Sequence, residues 1–157
     1  MNEPTCTIDK NGDKFWRNSK DELHRTDGPA VEHADGDKFW YFNGKCHRTD
    51  GPAVEFANGD KWWYFHDKLH RTDGPAIENA NGDKWWYFNG QHHRTDGPAI
   101  ENANGHKAWY INDRCHRTNG PAIERANGDK EYWYKGEQIT EEVFYSDEFQ
   151  IRMVMQS

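Results

Sequence analysis

The sequence predicts an all-β (mainly) fold: an elongated, twisted antiparallel meander of repeated β-hairpins in an open sheet, with a short C-terminal capping helix. The segment His-Arg-Thr-Asp-Gly-Pro-Ala recurs every 23 residues, beginning at His24, His47, His70, His93 and, with Asn119 in place of Asp, at His116. A fixed period of this length marks a stack of one supersecondary unit, whose copies bury their apolar faces against each other. Each copy also carries two short apolar runs joined by turn residues, which is the pattern of a hairpin.

The repeat predicts three parts in the chain. Residues 1–23 form an N-terminal capping hairpin, residues 24–136 form five repeats, and residues 137–157 form a C-terminal capping segment. Within the first part, Asn-Gly-Asp-Lys-Phe-Trp at residues 11–16 resembles the later residues 58–63. The first interval is one residue longer than the others, and we expect a turn to contain the extra residue, because insertions in turns cost least.

The composition limits both the core and the partners. Of the 157 residues, 34% are hydrophobic and 30% are charged, with a formal net charge of -7. We therefore expect no large three-dimensional core. Aromatic residues make up 15% of the chain, and their side chains provide the burial instead. The negative charge argues against direct nucleic-acid binding and against an anionic membrane surface, which both favour clustered Lys and Arg.

Location and metal binding follow from what the sequence lacks. No apolar run approaches the ~20 residues of a membrane span, and residues 1–10 lack the apolar core of a secretion signal, so we expect a cytoplasmic protein. Cys6, Cys46 and Cys115 are odd in number and far apart, which predicts reduced thiols. The signature histidines should stand ~10 Å apart, too far to share a zinc ion. We expect no metal and no cofactor.

Catalytic motifs are also absent from the sequence. It has no Gly-x-Ser-x-Gly, no phosphate-binding loop, and no Ser or Cys nucleophile near a distinctive base. The signature Asp residues are typical turn formers whose side chains bond to nearby backbone. Asn119 replaces Asp in the fifth copy, which suits a turn and not a catalytic carboxylate. We therefore expect no enzyme activity, and we expect the signature Arg and the Glu residues that follow to form a ladder of ion pairs.

The Asn-Gly pair between the two apolar runs predicts the hairpin register. A two-residue type I′ turn at Asn58-Gly59 would place Val54 opposite Trp63 and Glu55 opposite Trp62. The predicted core face then combines the Val and Ile column with Trp40, Trp63, Trp86, Trp109 and Tyr132, and with Phe42, Phe65, Phe88, Ile111 and Tyr134. The predicted wet face combines the Glu column with Phe39, Trp62, Trp85, Ala108 and Glu131, with Tyr41, Tyr64, Tyr87, Tyr110 and Trp133, and with the small Ala30, Ala53, Ala76, Ala99 and Ala122. On this basis we expect Trp86→Ala to destabilise the fold more than Trp85→Ala.

Further turns and one helix complete the predicted fold. Second turns are expected at 43–44, 66–67, 89–90, 112–113 and 135–136. Gly74-Pro75 should kink the return strand, because Gly permits a positive φ and Pro lacks a ladder donor. Thr140 is the expected N-cap of a helix over about 141–155, with Phe144, Ile151 and Met155 near one side.

The stretch Tyr41-Phe42-Asn43-Gly44-Lys45-Cys46-His47, followed by Gly51, resembles the Tyr-x-x-Gly-Lys-x-His-x-Gly core of MORN repeats. The resemblance covers about residues 11–136 and is closest to bacterial variants with a period of about 22 to 24 residues. It implies rows of β-hairpins that form a curved sheet with a groove and serve as non-catalytic scaffolds or interaction modules. Arrays with this signature are similar to proteins of bacteria and bacteriophages. The resemblance therefore allows a phage origin, and a phage-encoded protein would act in the host cytoplasm.

These observations favour a non-enzymatic protein-binding repeat module, and the resemblance extends this to a phage-encoded inhibitor of a host defence protein. The expected partner is a host protein with a basic surface that meets an acidic and aromatic face. The candidate partner-binding residues are Phe39, Tyr41, Glu55, Trp62, Tyr64, Glu78, Trp85, Tyr87 and Glu101. One alternative is small-ligand or glycan binding on the Trp and Tyr ladder. Another is a self-assembling scaffold that forms a homo-oligomer through sheet edges.

Two explanations remain open for the loss of large aromatics at Ala108 and Glu131. Either the large residues of the earlier repeats contact a partner, with Phe39, Trp62 and Trp85 as anchors, or the terminal helix fills the space. In the second case Phe144 or Phe149 would pack over Ala108.

Overall fold

A computed structural model describes residues 3–155 of the chain. The protein is mainly β, with antiparallel hairpins in a meander and a short helical segment at the C-terminal end, which confirms the predicted fold class. The chain forms two compact units, residues 1–90 and residues 91–157, and the boundary between them falls inside the predicted repeat region. Among residues 3–155, no helix is long and apolar enough to cross a membrane.

The first unit contains thirteen short strands. In chain order they are β1 Thr5–Ile8, β2 Lys14–Arg17, β3 Val31–Glu32, β4 Lys38–Phe39, β5 Tyr41–Phe42, β6 Lys45–Cys46, β7 Val54–Glu55, β8 Lys61–Trp62, β9 Tyr64–Phe65, β10 Lys68–Leu69, β11 Ile77–Glu78, β12 Lys84–Trp85 and β13 Tyr87–Phe88. The main sheet has the order β1-β2-β3-β4-β7-β8-β11-β12, and β5-β6 and β9-β10 form small separate hairpins. Each repeat therefore adds two strands to the main sheet and a small hairpin beside it.

The second unit continues the same pattern and adds the helical segment. Its elements are β14 Gln91–His92, β15 Ile100–Glu101, β16 Lys107–Ala108, β17 Tyr110–Ile111, β18 Arg114–Cys115, β19 Ile123–Glu124, β20 Lys130–Tyr134, β21 Glu137–Ile139, α1 Glu141–Phe144 and α2 Asp147–Met155. Its sheet has the order β15-β16-β19-β20-β21, with β17-β18 as a small hairpin.

The first turn of the repeat differs from the prediction. Asn58-Gly59 does not close a two-residue loop, because the Phe56 amide donates to the Asp60 carbonyl and the Gly59 amide donates to the Phe56 carbonyl, at 3.0 and 2.9 Å. The loop is therefore three residues long, a type I turn followed by Gly59 at a φ of 98°. Both loop types use Asn-Gly, and the choice between them moves the register by one residue.

This shift exchanges the aromatic residues of the two predicted faces, while Val31, Val54 and Ile77 of the Val and Ile column are buried as predicted. Val54 pairs with Trp62 and Glu55 pairs with Lys61, so the predicted pairs of Val54 with Trp63 and Glu55 with Trp62 are wrong. A one-residue slip moves every side chain to the opposite face. Ile77 likewise lies between Trp62 and Trp85, which removes the basis for expecting Trp86→Ala to cost more stability than Trp85→Ala.

We name the two surfaces of each unit by their contents. The aliphatic face carries the Val and Ile column of the main sheet together with Phe39, Trp62, Trp85 and Ala108. The arginine face carries the signature Arg, the Glu column and the ring against which this Arg packs, for example Trp16, Trp40, Trp63 and Trp109. The signature alanines do not lie on a wet surface as predicted. All five are fully buried, at Ala30, Ala53, Ala76, Ala99 and Ala122.

The second turns lie where the sequence predicts them, and the first of them is a type I′ turn. Asn43 and Gly44 both have positive φ values, 49° and 76°, between Phe42 and Lys45, which are paired strand residues. His66 and Asp67 repeat the geometry without glycine, at φ values of 48° and 65°. The Asp67 side chain contributes by accepting a hydrogen bond from the Cys46 amide at 2.7 Å.

The C-terminal segment is helical but interrupted. Thr140 is the N-cap of α1, as predicted, and its Oγ1 accepts a hydrogen bond from the Val143 amide at 3.2 Å. The helix is interrupted at residues 145–146, before α2 begins. The prediction of a single continuous helix over 141–155 is therefore wrong. The buried side chains are Phe144, Phe149 and Met153, which form a cluster with Tyr132, whereas Ile151 and Met155 of the predicted apolar side are exposed.

The N-terminal segment forms a hairpin, and the irregular first interval contains a turn. Strands β1 and β2 pair with each other in the antiparallel sense. The extra residue lies in a turn, where the Asn18 amide donates to the Glu22 carbonyl at 2.9 Å and Asp21 has a φ of 62°.

Candidate functional site

One arginine organises the exposed side of each repeat, as Arg71 shows. Its Nε donates to Asp73 Oδ1 at 2.8 Å, and its Nη1 donates to the Pro75 carbonyl at 3.1 Å and to Glu78 Oε1 at 2.7 Å. Its Cζ lies 4.0 Å from the ring centroid of Trp63, in cation–π contact. The guanidinium therefore ties the signature loop, the following strand and the preceding aromatic strand together.

The same contacts recur along the chain. The Arg to Glu ion pairs join Arg25 to Glu32, Arg48 to Glu55, Arg71 to Glu78, Arg94 to Glu101 and Arg117 to Glu124. Glu55, Glu78 and Glu101, which the sequence proposed as partner-binding residues, are thus engaged within the repeat. The predicted ion-pair ladder is present, but each pair lies inside one repeat and joins a loop to the strand that follows it.

The signature glycine is needed for space and not for a left-handed backbone. A Cβ built on Gly74 would lie 2.9 Å from Arg71 Cζ, so any side chain there would push the guanidinium off Trp63. The equivalent Gly51 and Arg48 show the same distance. None of the signature glycines among the described residues has a positive φ, so the predicted reason for the Gly-Pro kink is wrong.

The signature aspartates present their carboxylates to solvent. The side chains of Asp50 and Asp73 are 80% and 79% exposed, whereas the Arg side chains that they pair with are only about one-fifth exposed. The hydrogen bond from Arg71, followed by its charge, lowers the pKa of the Asp73 carboxyl. In the fifth copy Asn119 Oδ1 accepts the same bond from Arg117 Nε at 2.9 Å, so the loop needs the acceptor and not the charge.

Histidine and phenylalanine rings alternate beside this network. In the first unit the ring centroids are 4.8 Å apart for His24 and Phe42, 4.7 Å for His47 and Phe65, and 4.7 Å for His70 and Phe88. Phe42, Phe65 and Phe88 were predicted to belong to the core, but they are 41%, 45% and 42% exposed. They provide apolar surface that a partner can cover.

The signature histidines contact the second turn of their own repeat through Nδ1. Nδ1 accepts a hydrogen bond from a backbone amide in the pairs His24 with Asn43, His47 with His66, His70 with Asn89, and His116 with Lys135. The Nδ1 atom of His93 lies 2.8 Å from Asn112 Oδ1. An imidazole that accepts at Nδ1 is neutral and carries its proton on Nε2. Burial, and then the charge of His66, lowers the pKa of His47, and burial, and then the charge of Lys135, lowers the pKa of His116.

A cleft of the same construction lies between successive signature loops in each unit. In the first unit it has a volume of about 540 Å³ and is lined by Trp63, Phe65, His70 and the Arg-Thr-Asp segments at 48–50 and 71–73. In the second unit the corresponding cleft, about 530 Å³, is lined by Trp109, Ile111, His116 and the equivalent segments at 94–96 and 117–119. We call these the signature clefts.

The structure separates the residues that the sequence grouped as one binding surface. Phe39 and Trp62 lie on the aliphatic face in an edge-to-face ladder with Phe56, at centroid distances of 5.9 and 4.9 Å. Tyr41 and Tyr64 pack against the same cluster of Cys46, Ala53 and Val54 as Phe39 and Trp62 do. Trp85 pairs with Ile77 on the aliphatic face, and Tyr87 is a half-buried residue of β13. The glutamates are separated from these aromatic residues, because Glu55, Glu78 and Glu101 lie on the arginine face.

An ion pair takes the place of aromatic packing in the fifth repeat. Arg125 and Glu131 occupy the positions of Phe56 and Trp62, and the Arg125 guanidinium donates to Glu131 Oε1. Trp133 Nε1 donates to the other carboxylate oxygen at 3.0 Å. Phe144 and Phe149 pack in the cluster around Tyr132, so the change at position 131 is accommodated locally.

Two of the three cysteines belong to the interior. Cys46 and Cys115 are buried free thiols, and burial raises the pKa of each to about 12. A thiol with such a pKa is not a nucleophile at neutral pH. Cys6 is exposed, and its thiol is also free.

No known family model matches the chain, and a search of curated proteins finds no match to it. The resemblance to MORN repeats therefore rests on the sequence pattern itself.

The site contains residues that the sequence analysis did not propose. Thr49, Thr72, Phe65 and His70 line the cleft of the first unit, but none of them was proposed as a binding residue, and Phe65 was placed in the core. The signal in the sequence that could have found them is the His column, which together with Phe42, Phe65 and Phe88 places rings beside the signature loops of the first unit.

Proposed function

We propose that the protein is a non-enzymatic repeat module that binds another protein through the signature clefts of its arginine face. The observation that carries this proposal is the recurrence of one cleft in both units, lined by a Trp and by two signature loops. The exposed side chains of Asp50 and Asp73 form the rim of the first-unit cleft. A surface built from equivalent sites suits a partner with a repeated or extended contact surface. The partner has a basic surface in this proposal.

Charge and exposure support a basic partner. At the rim of the first-unit cleft the aspartate side chains are about four-fifths exposed, while the arginines beside them are held against Trp and two carboxyl groups. The net charge of -7 adds a long-range attraction for positively charged surfaces. Phe65 offers apolar contact next to these carboxylates. Lys or Arg side chains of a partner can cover the ring with their stems and pair with the rim carboxylates.

A binding role also accounts for the sameness of the clefts. A catalytic site depends on groups with distinct environments, whereas each signature Arg, Glu and Trp here repeats the contacts of its counterparts. Under the MORN resemblance, the partner is a host protein and binding inhibits it, for example by covering a basic groove. The cytoplasm of the host is then the expected location.

Glycan binding and a self-assembling scaffold remain the alternatives to this proposal. Sugars stack on the open face of an aromatic ring, but one face of Trp63 is covered by Arg71 and one face of Trp40 by Arg48. Trp62 already makes an edge-to-face contact with Phe56. These contacts weigh against a Trp ladder as a glycan platform and favour the protein-binding proposal.

Affinity capture from a bacterial lysate with paired variants tests the proposal. Thr49→Arg with Thr72→Arg places two positive charges in the signature cleft, and Ala57→Arg with Ala80→Arg places the same charges on exposed loop residues away from it. We expect the wild type and the variant with Ala57→Arg and Ala80→Arg to retain a basic protein. The variant with Thr49→Arg and Thr72→Arg should lose it. Circular dichroism of the three proteins checks that all of them are folded.

If both variants retain the partner equally well, the binding site does not lie in the signature clefts. If the wild type shows no saturable binding of any basic protein, the proposal as a whole is contradicted. Binding of an immobilised glycan by the wild type, reduced by Thr49→Arg with Thr72→Arg, would favour the alternative.

A further inference from the structure

We infer that the segment bound by the arginine face is an extended polyproline II strand with a Lys or Arg at every third position. This inference deepens the proposed function and rests on it. It follows from the spacing of the rim carboxylates, from the geometry of extended chains, and from the way the repeat neutralises its own charges.

The spacing comes from the topology of the first unit. Its signature loops precede β3, β7 and β11, and a single strand, β4 or β8, separates each of these from the next. Neighbouring strands lie about 4.8 Å apart, so equivalent points on successive loops lie about 9.6 Å apart. The carboxylates at Asp27, Asp50 and Asp73 form such a row, and their side chains are 79%, 80% and 79% exposed.

Polyproline II geometry matches this row. Its rise of about 3.1 Å per residue and its three residues per turn bring every third side chain to the same side, about 9.3 Å apart. A β-strand places alternate side chains on one side, about 6.6 Å apart. Its cationic side chains would therefore not coincide with carboxylates about 9.6 Å apart beyond the first one. Strand addition also uses the open edge of a sheet, and the signature clefts lie on its surface.

The charges at each cleft favour a cation. Arg71 forms hydrogen bonds with both Asp73 and Glu78, so two carboxylates share one guanidinium. Lys61 lies opposite Glu78 on the same surface but is not among the residues that line the cleft. The exposed carboxylate at the rim is thus the charged group that an incoming ammonium or guanidinium meets first. The ring of Phe65, 45% exposed, lies beside it for contact with the aliphatic stem or with proline.

Synthetic peptides of equal composition test the period. In the first peptide every third residue is lysine and the others are proline. The second peptide has the same numbers of lysine and proline, but its lysines occupy alternate positions and the remaining prolines follow them. Fluorescence anisotropy at low and at physiological ionic strength measures binding to the full chain. We expect the first peptide to bind more tightly than the second, and we expect its affinity to fall as salt rises.

A charge-removing variant identifies the site. Asp73→Asn keeps the acceptor for Arg71, as Asn119 does for Arg117, so the loop is expected to stay folded. Its control is Asp35→Asn in an exposed hairpin loop, where Asn58 shows that Asn accepts the same backbone bond. We expect Asp73→Asn to weaken binding of the first peptide about two- to fivefold, as for an exposed ion pair, and Asp35→Asn to leave it unchanged.

The possible outcomes distinguish failure of the polyproline II inference from failure of the proposed function. Equal binding of the two peptides, both weakened by Asp73→Asn, would overturn the polyproline II inference while supporting a basic partner at the signature clefts. Binding that Asp73→Asn and Asp35→Asn weaken equally would show only general attraction to an acidic protein and would overturn the inference. If neither peptide binds, the inference is wrong, and the capture experiment with the Thr variants still decides the proposed function.

Discussion

Arg71 makes a set of contacts that requires an arginine side chain. Its planar guanidinium donates to Asp73, Glu78 and the Pro75 carbonyl while its flat surface rests on Trp63. A lysine ammonium has neither the fork of donors nor the flat surface. The identity of this residue in every copy of the signature is therefore explained by geometry as well as by charge.

We predict that Arg71→Lys lowers the free energy of unfolding by about 2 kcal/mol, through lost charged hydrogen bonds and ring contact. Asp73→Asn keeps the Nε acceptor and should lower the free energy of unfolding by less than Arg71→Lys does. Urea unfolding monitored by Trp fluorescence measures both. Equal losses for the two variants would mean that charge, and not the shape of the guanidinium, maintains the contact.

The sequence revealed part of this network at the level of single residues. The Arg and Glu columns suggested ion pairs, and the pairs are present. The role of Asp73 was only half recognised, because Asp is common in turns and its bond to a side chain two residues earlier has no separate signal. The need for Gly74 could not be inferred without knowing where the guanidinium lies, because it depends on a 2.9 Å approach in space.

At the scale of elements, the hairpin turns decided which residues face which way. The sequence predicted the positions of both turns, but Asn58-Gly59 fits a two-residue and a three-residue loop equally well by composition. The three-residue loop places Asp60 outside the strand, where its Oδ1 accepts the Ala80 amide of the next repeat at 2.7 Å. That bond crosses repeats, so the local pattern could not reveal it, and the aromatic residues of the two predicted faces were exchanged as a result.

The histidine contacts predict acid sensitivity. Because burial lowers the pKa of His47 and His116, the unfolded chain binds protons more readily than the folded chain at these positions. Their stabilising contribution is present above the ordinary histidine pKa of about 6.5 and is lost as the pH falls through that value towards the folded pKa. The signature aspartates, whose pKa is lowered by Arg, add a separate loss only below about pH 4.

Thermal melts at about pH 7.5 and about pH 5.5 measure this effect. His47→Asn keeps an acceptor near the position of Nδ1 but does not titrate, so we expect the variant to lose less stability on acidification than the wild type. The rings that contact His47 are those of Phe42, Phe65 and His66. Identical pH dependence in the variant and the wild type would contradict the account.

The helical segment offers a second test at this scale. Phe144 is 1% exposed in the cluster around Tyr132, whereas Ile151 is 60% exposed. We expect Phe144→Ala to lower the free energy of unfolding by about 3–4 kcal/mol and Ile151→Ala to change it by less than about 0.5 kcal/mol. Chemical unfolding of both variants measures the difference. A larger loss for Ile151→Ala would restore the apolar side that the sequence suggested.

At the scale of the whole molecule, the repeat determines the fold and gives the proposed binding surface its form. Each repeat supplies a buried Ala and an Arg held by its signature loop, so the same features recur at every step within a unit. The period was visible in the sequence, and it predicted the architecture. The proposed binding surface could not be located from the sequence, because its position depends on the register of the hairpins.

Zero-length cross-linking of carboxylates to amines, with a lysine-containing partner, tests the proposed binding surface most directly. Asp50 and Asp73 on the rim and Asp35 in the hairpin loop are all exposed and should react similarly in the free protein. With the partner bound, we predict cross-links from its lysines to Asp50 and Asp73 and none to Asp35. The account would be contradicted if the cross-links were confined to Asp35 and its hairpin loop while Asp50 and Asp73 still reacted with a small added amine. Such a result would exclude binding at the signature clefts.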